Sequence, residues 1–178
     1  MRITHIPRAV FALAGGLFIT FSQSHAAVIG LTVFAAFALL TGIATLVVER
    51  KAAQKKLLPL SIVNIVSGLL AVTAFVQSGG FSTAQTAAST QLGLLLTIVA
   101  GWAIVVGAIE IYLGSKEGFS NREGRDFLIS AIFSLALAVL FLLVSPDVVS
   151  TVGFFGAYLI LLGVHWGIAA AGEGKKLG

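Results

Sequence analysis

Leu92–Leu113 reads LGLLLTIVAGWAIVVGAIEIYL, a continuous apolar run with one acid, Glu110, close to its end. A helix that crosses the hydrocarbon of a bilayer takes about 20 apolar residues at 1.5 Å each, so this stretch alone is long enough to span. It is apolar on every face, whereas a barrel strand would be shorter and would alternate apolar with polar. Five further stretches read the same way: Ala9–Ser24, Ala27–Val48, Leu57–Val76, Phe127–Val144 and Val148–Ala171. The expectation is an all-α polytopic membrane protein of six transmembrane helices in a single domain, residues 1–178.

The composition agrees. Hydrophobic residues make up 58% of the 178 and charged residues 10%, against about a quarter charged in a soluble domain. Too few polar side chains remain to cover a water-facing surface. The expected partner is therefore the lipid bilayer rather than nucleic acid, despite a formal net charge of +4. Cysteine is absent, which excludes disulfides and thiol chemistry.

The basic residues fall in four groups. Arg2 and Arg8 precede the first span, Arg50, Lys51, Lys55 and Lys56 follow the second, Lys116, Arg122 and Arg125 follow the fourth, and Lys175 and Lys176 follow the sixth. The intervening connections, Gln23–Ala26, Gln77–Gln91 and Ser145–Asp147, carry none of them. The positive-inside bias then places both termini in the cytoplasm. Arg2 and Arg8 with the short apolar run to Phe21 and the small residues near Ala26 also fit a signal peptide. The span reading is preferred because cleavage would break the repeat described next.

With Gly42, Gly107 and Gly163 in register, a pattern recurs of two small residues, an aromatic, four variable positions and the glycine. The copies are Ala35-Ala36-Phe37, Ala100-Gly101-Trp102 and Gly156-Ala157-Tyr158. Small residues let helices approach closely where lipid removes the hydrophobic drive to associate. Gly16, Gly68 and Ala136 occupy a matching depth in the preceding spans. The expected architecture is three like-oriented two-helix hairpins, residues 9–48, 57–113 and 127–171. Gly163 and Gly167 make a G-x-x-x-G pair that serves either a homo-oligomer face or, as preferred here, packing within the chain. Residues Ser78–Gln91 are expected as a flexible loop or a short interfacial helix.

The helix pairs, the turn Val144-Ser145-Pro146-Asp147 and the segments AFALLTG (36–42) and AYLILLG (157–163) resemble the short repeat of HdeD-like bacterial membrane proteins, the DUF308 family. The resemblance covers most of the chain, although the proline turn occurs only in its third copy. It implies a multi-pass membrane fold, a loose association with acid resistance and envelope stress, and no enzymatic activity or cofactor.

Ionisable groups inside spans are costly and count as functional candidates by default. Glu110 and His165 are the two, and Asn64 joins them at a similar depth near the inner surface. Thr41, Thr45, Ser61, Ser130 and Ser134 fall in the same layer. One reading is a cytoplasm-facing polar chamber in which Glu110 and His165 exchange a proton, as in a small proton or solute channel, since His titrates near neutrality. The other, preferred, has Glu110 snorkelling towards Lys116 or the headgroups, His165 sitting at the interface, and Asn64 and the hydroxyls bonding between helices or to i−4 carbonyls. No metal cluster is expected from His5, His25 and His165, which the span assignment separates, and Ser134 with His165 lacks an orienting acid for catalysis.

Overall fold

The computed structural model describes residues 2–51, 55–82, 84–144 and 147–172. Ser145 and Pro146 of the expected outer turn, and Lys175 and Lys176 of the tail, lie outside the described residues. Six helices follow one another: α1 (Arg2–Phe21), α2 (Ala27–Lys51), α3 (Leu58–Gln77), α4 (Gln85–Glu117), α5 (Arg122–Val139, continued by a π-helical turn over Leu140–Val144) and α6 (Val148–Gly172). The described residues hold helices and turns and no strand.

Local chemistry explains several boundaries. Pro59 sits in the first turn of α3, where its missing N–H costs nothing. Gly118 ends α4 at φ 83°, a left-handed conformation that a Cβ disfavours. Asp147 accepts the backbone N–H groups of Val149 and Ser150 at 2.9 and 3.2 Å, which caps the orphan donors at the start of α6. The Ser78–Gln91 connection is shorter than expected. A turn through Gly79 and Gly80, at φ 94° and 57°, gives way to helix at Gln85, so half of the polar segment extends α4 instead of forming a loop.

Among the described residues, five helices are long and apolar enough to cross a membrane: α2, α3, α4, α5 with its π turn, and α6. The apolar part of α1, His5–Phe21, is shorter. Its helix starts before the expected span, at Arg2, and stops before it, at Phe21. Large apolar side chains stay exposed around the outside, among them Phe18, Leu70, Ile132 and Leu161, as a surface turned to lipid requires.

The helices form a closed ring in chain order, with α1 packed between α6 and α2, and α2 also touching α4 and α6. The tightest pairs are α1 with α6, α2 with α3 and α4 with α5, so each even-numbered helix lies closest to the odd-numbered helix that follows it round the ring. One contact recurs at all three interfaces. A Cβ on Gly42 would meet the Ile65 side chain at 2.8 Å and the Ser61 carbonyl at 2.9 Å; on Gly107 it would meet Leu135 at 2.8 Å and the Ala131 carbonyl at 3.4 Å; on Gly163 it would meet Leu13 at 2.6 Å. Leu13, Ile65 and Leu135 are thus equivalent positions. That register makes Ala138 the counterpart of Gly16 and Gly68, in place of Ala136, which faces a lateral groove between α5 and α6. Gly167 stands apart from this packing, since a Cβ there meets nothing within 4 Å.

Candidate functional site

The register fixes which side chains reach the middle of the bundle. Counting back eight residues from Gly16, Gly68 and Ala138 gives Arg8, Leu60 and Ser130; counting back four gives Ala12, Asn64 and Ser134. Five residues before each glycine of α2, α4 and α6 stand Phe37, Trp102 and Tyr158, all buried. Their rings meet edge to face, Phe37 with Trp102 at 5.9 Å between centroids and Trp102 with Tyr158 at 6.0 Å, the geometry that aromatic quadrupoles favour.

Each polar handle in this aromatic layer has its partner on the neighbouring odd helix, four residues along from the Arg8 level. The Trp102 indole N–H donates to Asn64 Oδ1 at 2.9 Å, while Asn64 Nδ2 donates to the Leu60 carbonyl at 2.8 Å. The Tyr158 hydroxyl and Ser134 Oγ share a hydrogen bond at 3.0 Å. The third aromatic, Phe37, has no polar atom, and the equivalent position on α1 is Ala12. A buried N–H or O–H left unpaired costs about 1–3 kcal/mol, so polar partners accompany the Trp and Tyr and only a methyl accompanies the Phe.

Beneath this layer lies a buried ion pair. Arg8 Nη2 donates to Glu110 Oε1 at 2.6 Å, with the two side chains 8% and 0% exposed. Ser130 donates to Glu110 Oε2 at 2.7 Å, so both carboxylate oxygens are bonded. The Arg8 guanidinium also lies over the Trp166 ring, 3.9 Å from its centroid, and His5 is stacked on the same indole at 4.6 Å and 15°. A charge in low dielectric is tolerable only when paired and hydrogen-bonded, and here four helices, α1, α4, α5 and α6, supply the groups.

Glu110 therefore does not snorkel to Lys116 or the headgroups, because it is fully buried and its ion pair runs inward to α1. Arg8, expected on a cytoplasmic loop before the first span, is instead inside the bundle at 7% exposure. His5, expected at the inner terminus, is buried in the bundle, at 1%. His165 does not meet Glu110. Its Nε2 is 2.9 Å from the Asp126 carbonyl, on the side of α6 that faces the start of α5. Nor do Ser134 and His165 meet, Ser134 being bonded to Tyr158 and to the Ser130 carbonyl at 3.1 Å. Ser61 bonds its i−4 carbonyl at 3.2 Å, and the Thr41 hydroxyl is buried without a hydrogen-bond partner.

A small cavity of about 10 Å³ lies between the aromatic layer and the ion pair, lined by both and by Thr41, Val106 and Leu162. At the basic end of α3, Lys56 pairs with Glu117 and Glu123, tying the start of α3 to the end of α4 and the start of α5.

Sequence reasoning missed Arg8 because it was counted with the loop charges. The signal was available: Arg8, Ala12 and Gly16 have the same i, i+4, i+8 spacing as Leu60, Asn64 and Gly68, which puts the arginine on the inward face of its helix.

No curated protein and no solved structure matches the chain. Residues 84–143, α4 and most of α5 with its π turn, match the family model described as a short repeat of unknown function (DUF308), and that match, on about a third of the chain, supports the DUF308 family and a membrane protein of unknown activity.

Proposed function

We propose that the chain is a non-enzymatic, multi-pass protein of the bacterial plasma membrane, related in role to HdeD-like acid-resistance and envelope-stress proteins, that acts through packing and contacts with lipid or a membrane partner. In this reading all six helices span as three like-oriented hairpins and both termini are cytoplasmic. The supporting observation is that Glu110, Asn64 and Ser134 of the polar layer are bonded within the bundle. Glu110 is taken up by Arg8 and Ser130, Asn64 by Trp102 and Ser134 by Tyr158, around a cavity of about 10 Å³, too small for a solute. A conducting path needs polar groups open to water along its length, and the aromatic layer of Phe37, Trp102 and Tyr158 closes this one.

The test is flux in proteoliposomes under a pH gradient. Wild-type protein is expected to dissipate the gradient no faster than empty vesicles. A proton or solute flux lost in Glu110→Gln would overturn the reading in favour of a channel. Topology is tested separately. Because the chain lacks cysteine, Cys introduced at Gln85 is expected to react with an impermeant thiol reagent from outside, and Cys at Lys55 or Lys116 only after permeabilisation.

A further inference from the structure

Arg8 carries a second nitrogen, Nη1, that is buried and has no hydrogen-bond partner, and the Thr41 hydroxyl is in the same condition. Arg8 is 7% exposed and Thr41 3%, and both line the small cavity beneath the aromatic layer. We infer that this cavity is a binding site for a single water molecule that bridges Arg8 Nη1 and Thr41 Oγ1.

Size and charge select the ligand. The volume, about 10 Å³, is at the lower bound of the space in which one water fits, and a buried water needs two to four polar partners. Arg8 and Glu110 already neutralise each other, so a chloride or a metal ion would leave a net charge buried among Val106, Leu162 and the aromatic rings, which is strongly unfavourable. A neutral guest is required. It must accept a hydrogen bond from Nη1, which can only donate, and exchange one with a hydroxyl, which can do either. Water meets all of these conditions. The other polar groups around the cavity do not compete for it: the Glu110 oxygens, Asn64 and Tyr158 have partners already.

The position gives the water a structural task. Thr41, Val106 and Leu162 each stand four residues after the aromatic of their helix and one before the glycine. They form the wall of the cavity on α2, α4 and α6. Arg8 reaches α4 through Glu110 and α6 through the face of Trp166. Through the water it reaches α2 as well, so that one arginine on α1 engages α2, α4 and α6. This inference is independent of the proposed function, since the site holds for a stress protein or a channel alike.

The experiment is a structure of the full chain in lipid at a resolution that shows ordered water, for wild type, Thr41→Ser and Thr41→Val, with bromide replacing chloride in a parallel sample. The expected result is one peak within about 2.7–3.2 Å of both Arg8 Nη1 and Thr41 Oγ1 in wild type and Thr41→Ser. It should be lost or displaced in Thr41→Val, and no bromide signal should appear there. A site without a peak in wild type, a peak that remains in place in Thr41→Val, or bromide in the site would each overturn the assignment. Should Thr41→Val fail to fold, the wild-type and bromide data decide the matter.

Discussion

Arg8 and Glu110 lie 102 positions apart in the chain and meet at 2.6 Å in the middle of the bundle. Both side chains are buried away from bulk solvent. Removing one partner strands the other charge, at a cost of about 3–5 kcal/mol, whereas replacing both with apolar residues of similar volume is often neutral. Arg8→Met and Glu110→Met are each expected to be destabilised by about that amount, and the double variant is expected to recover most of it. Unfolding in detergent micelles, analysed as a double-mutant cycle, measures the coupling. Arg8→Lys is expected to fall with the damaging single variants, because an ammonium does not serve both the carboxylate and the Trp166 face as a planar guanidinium does.

The hydrogen bond from Trp102 to Asn64 gives a second cycle. Asn64→Leu leaves the indole N–H buried and unpaired, at about 1–3 kcal/mol. Trp102→Phe in the same background removes the orphaned group and reproduces the apolar pairing of Phe37 with Ala12. The double variant is expected to be more stable than Asn64→Leu alone. Equal stability of the two would show that the bond contributes nothing.

The glycines differ in what a methyl would strike. On Gly163 the obstacle includes the Leu13 backbone nitrogen at 2.9 Å, and on Gly42 the Ser61 carbonyl at 2.9 Å, whereas on Gly107 the near atoms belong to the Leu135 side chain and the backbone is 3.4 Å away. Overpacking costs about 1–3 kcal/mol when the neighbour cannot move. Gly163→Ala and Gly42→Ala are expected to lose that much, Gly107→Ala less, and Gly167→Ala nothing measurable in the same unfolding assay.

Asp147 carries a pH dependence. The hydroxyl of Ser150, at 2.6 Å, and the backbone N–H of the same residue hold its carboxyl below the ordinary value of 3.8. A depressed folded value means that the ionised cap stabilises α6 above the ordinary carboxylate range and loses that contribution as pH falls through the folded value. Melting temperature followed from pH 5 downward is expected to drop more steeply in wild type than in Asp147→Asn, which keeps an N-cap oxygen but does not titrate. Parallel curves would remove Asp147 as a cause of acid sensitivity.

Much of this fold was legible in the residues. Apolar run length marked α2, α3 and α6 to within a few positions, while α4 and α5 begin seven and five residues before their apolar runs because polar residues continue those helices beyond them, and the spacing of Gly42, Gly107 and Gly163 behind an aromatic falls on positions that meet the next helix round the ring. The failures have physical causes. Arg8 was read by its charge, which belongs on a loop, instead of by its spacing from Gly16, which turns it inward. Ala136 was matched by depth alone, and depth does not fix rotation about the helix axis; Ala138 carries the matching contact. Glu110 and His165 share a depth but face different neighbours, because α6 presents His165 to the Asp126 carbonyl and Trp166 to Arg8. Rotation is set by contacts between residues distant in sequence, such as Arg8 with Glu110 and His165 with Asp126, and the depth of a residue along its own span does not specify them.

The three near-identical helix interfaces leave the chain an ambiguity of assembly order. The contact of Gly163 with Leu13 is of the same kind as those of Gly42 with Ile65 and Gly107 with Leu135, so by itself it does little to tell α1 from α3 or α5. Arginine 8 breaks the tie. Among the described residues Glu110 is the acid that pairs with it, so the docking of α1 seen here is the one that gives the buried cation its partner, and that asymmetric contact distinguishes α1 from α3 and α5.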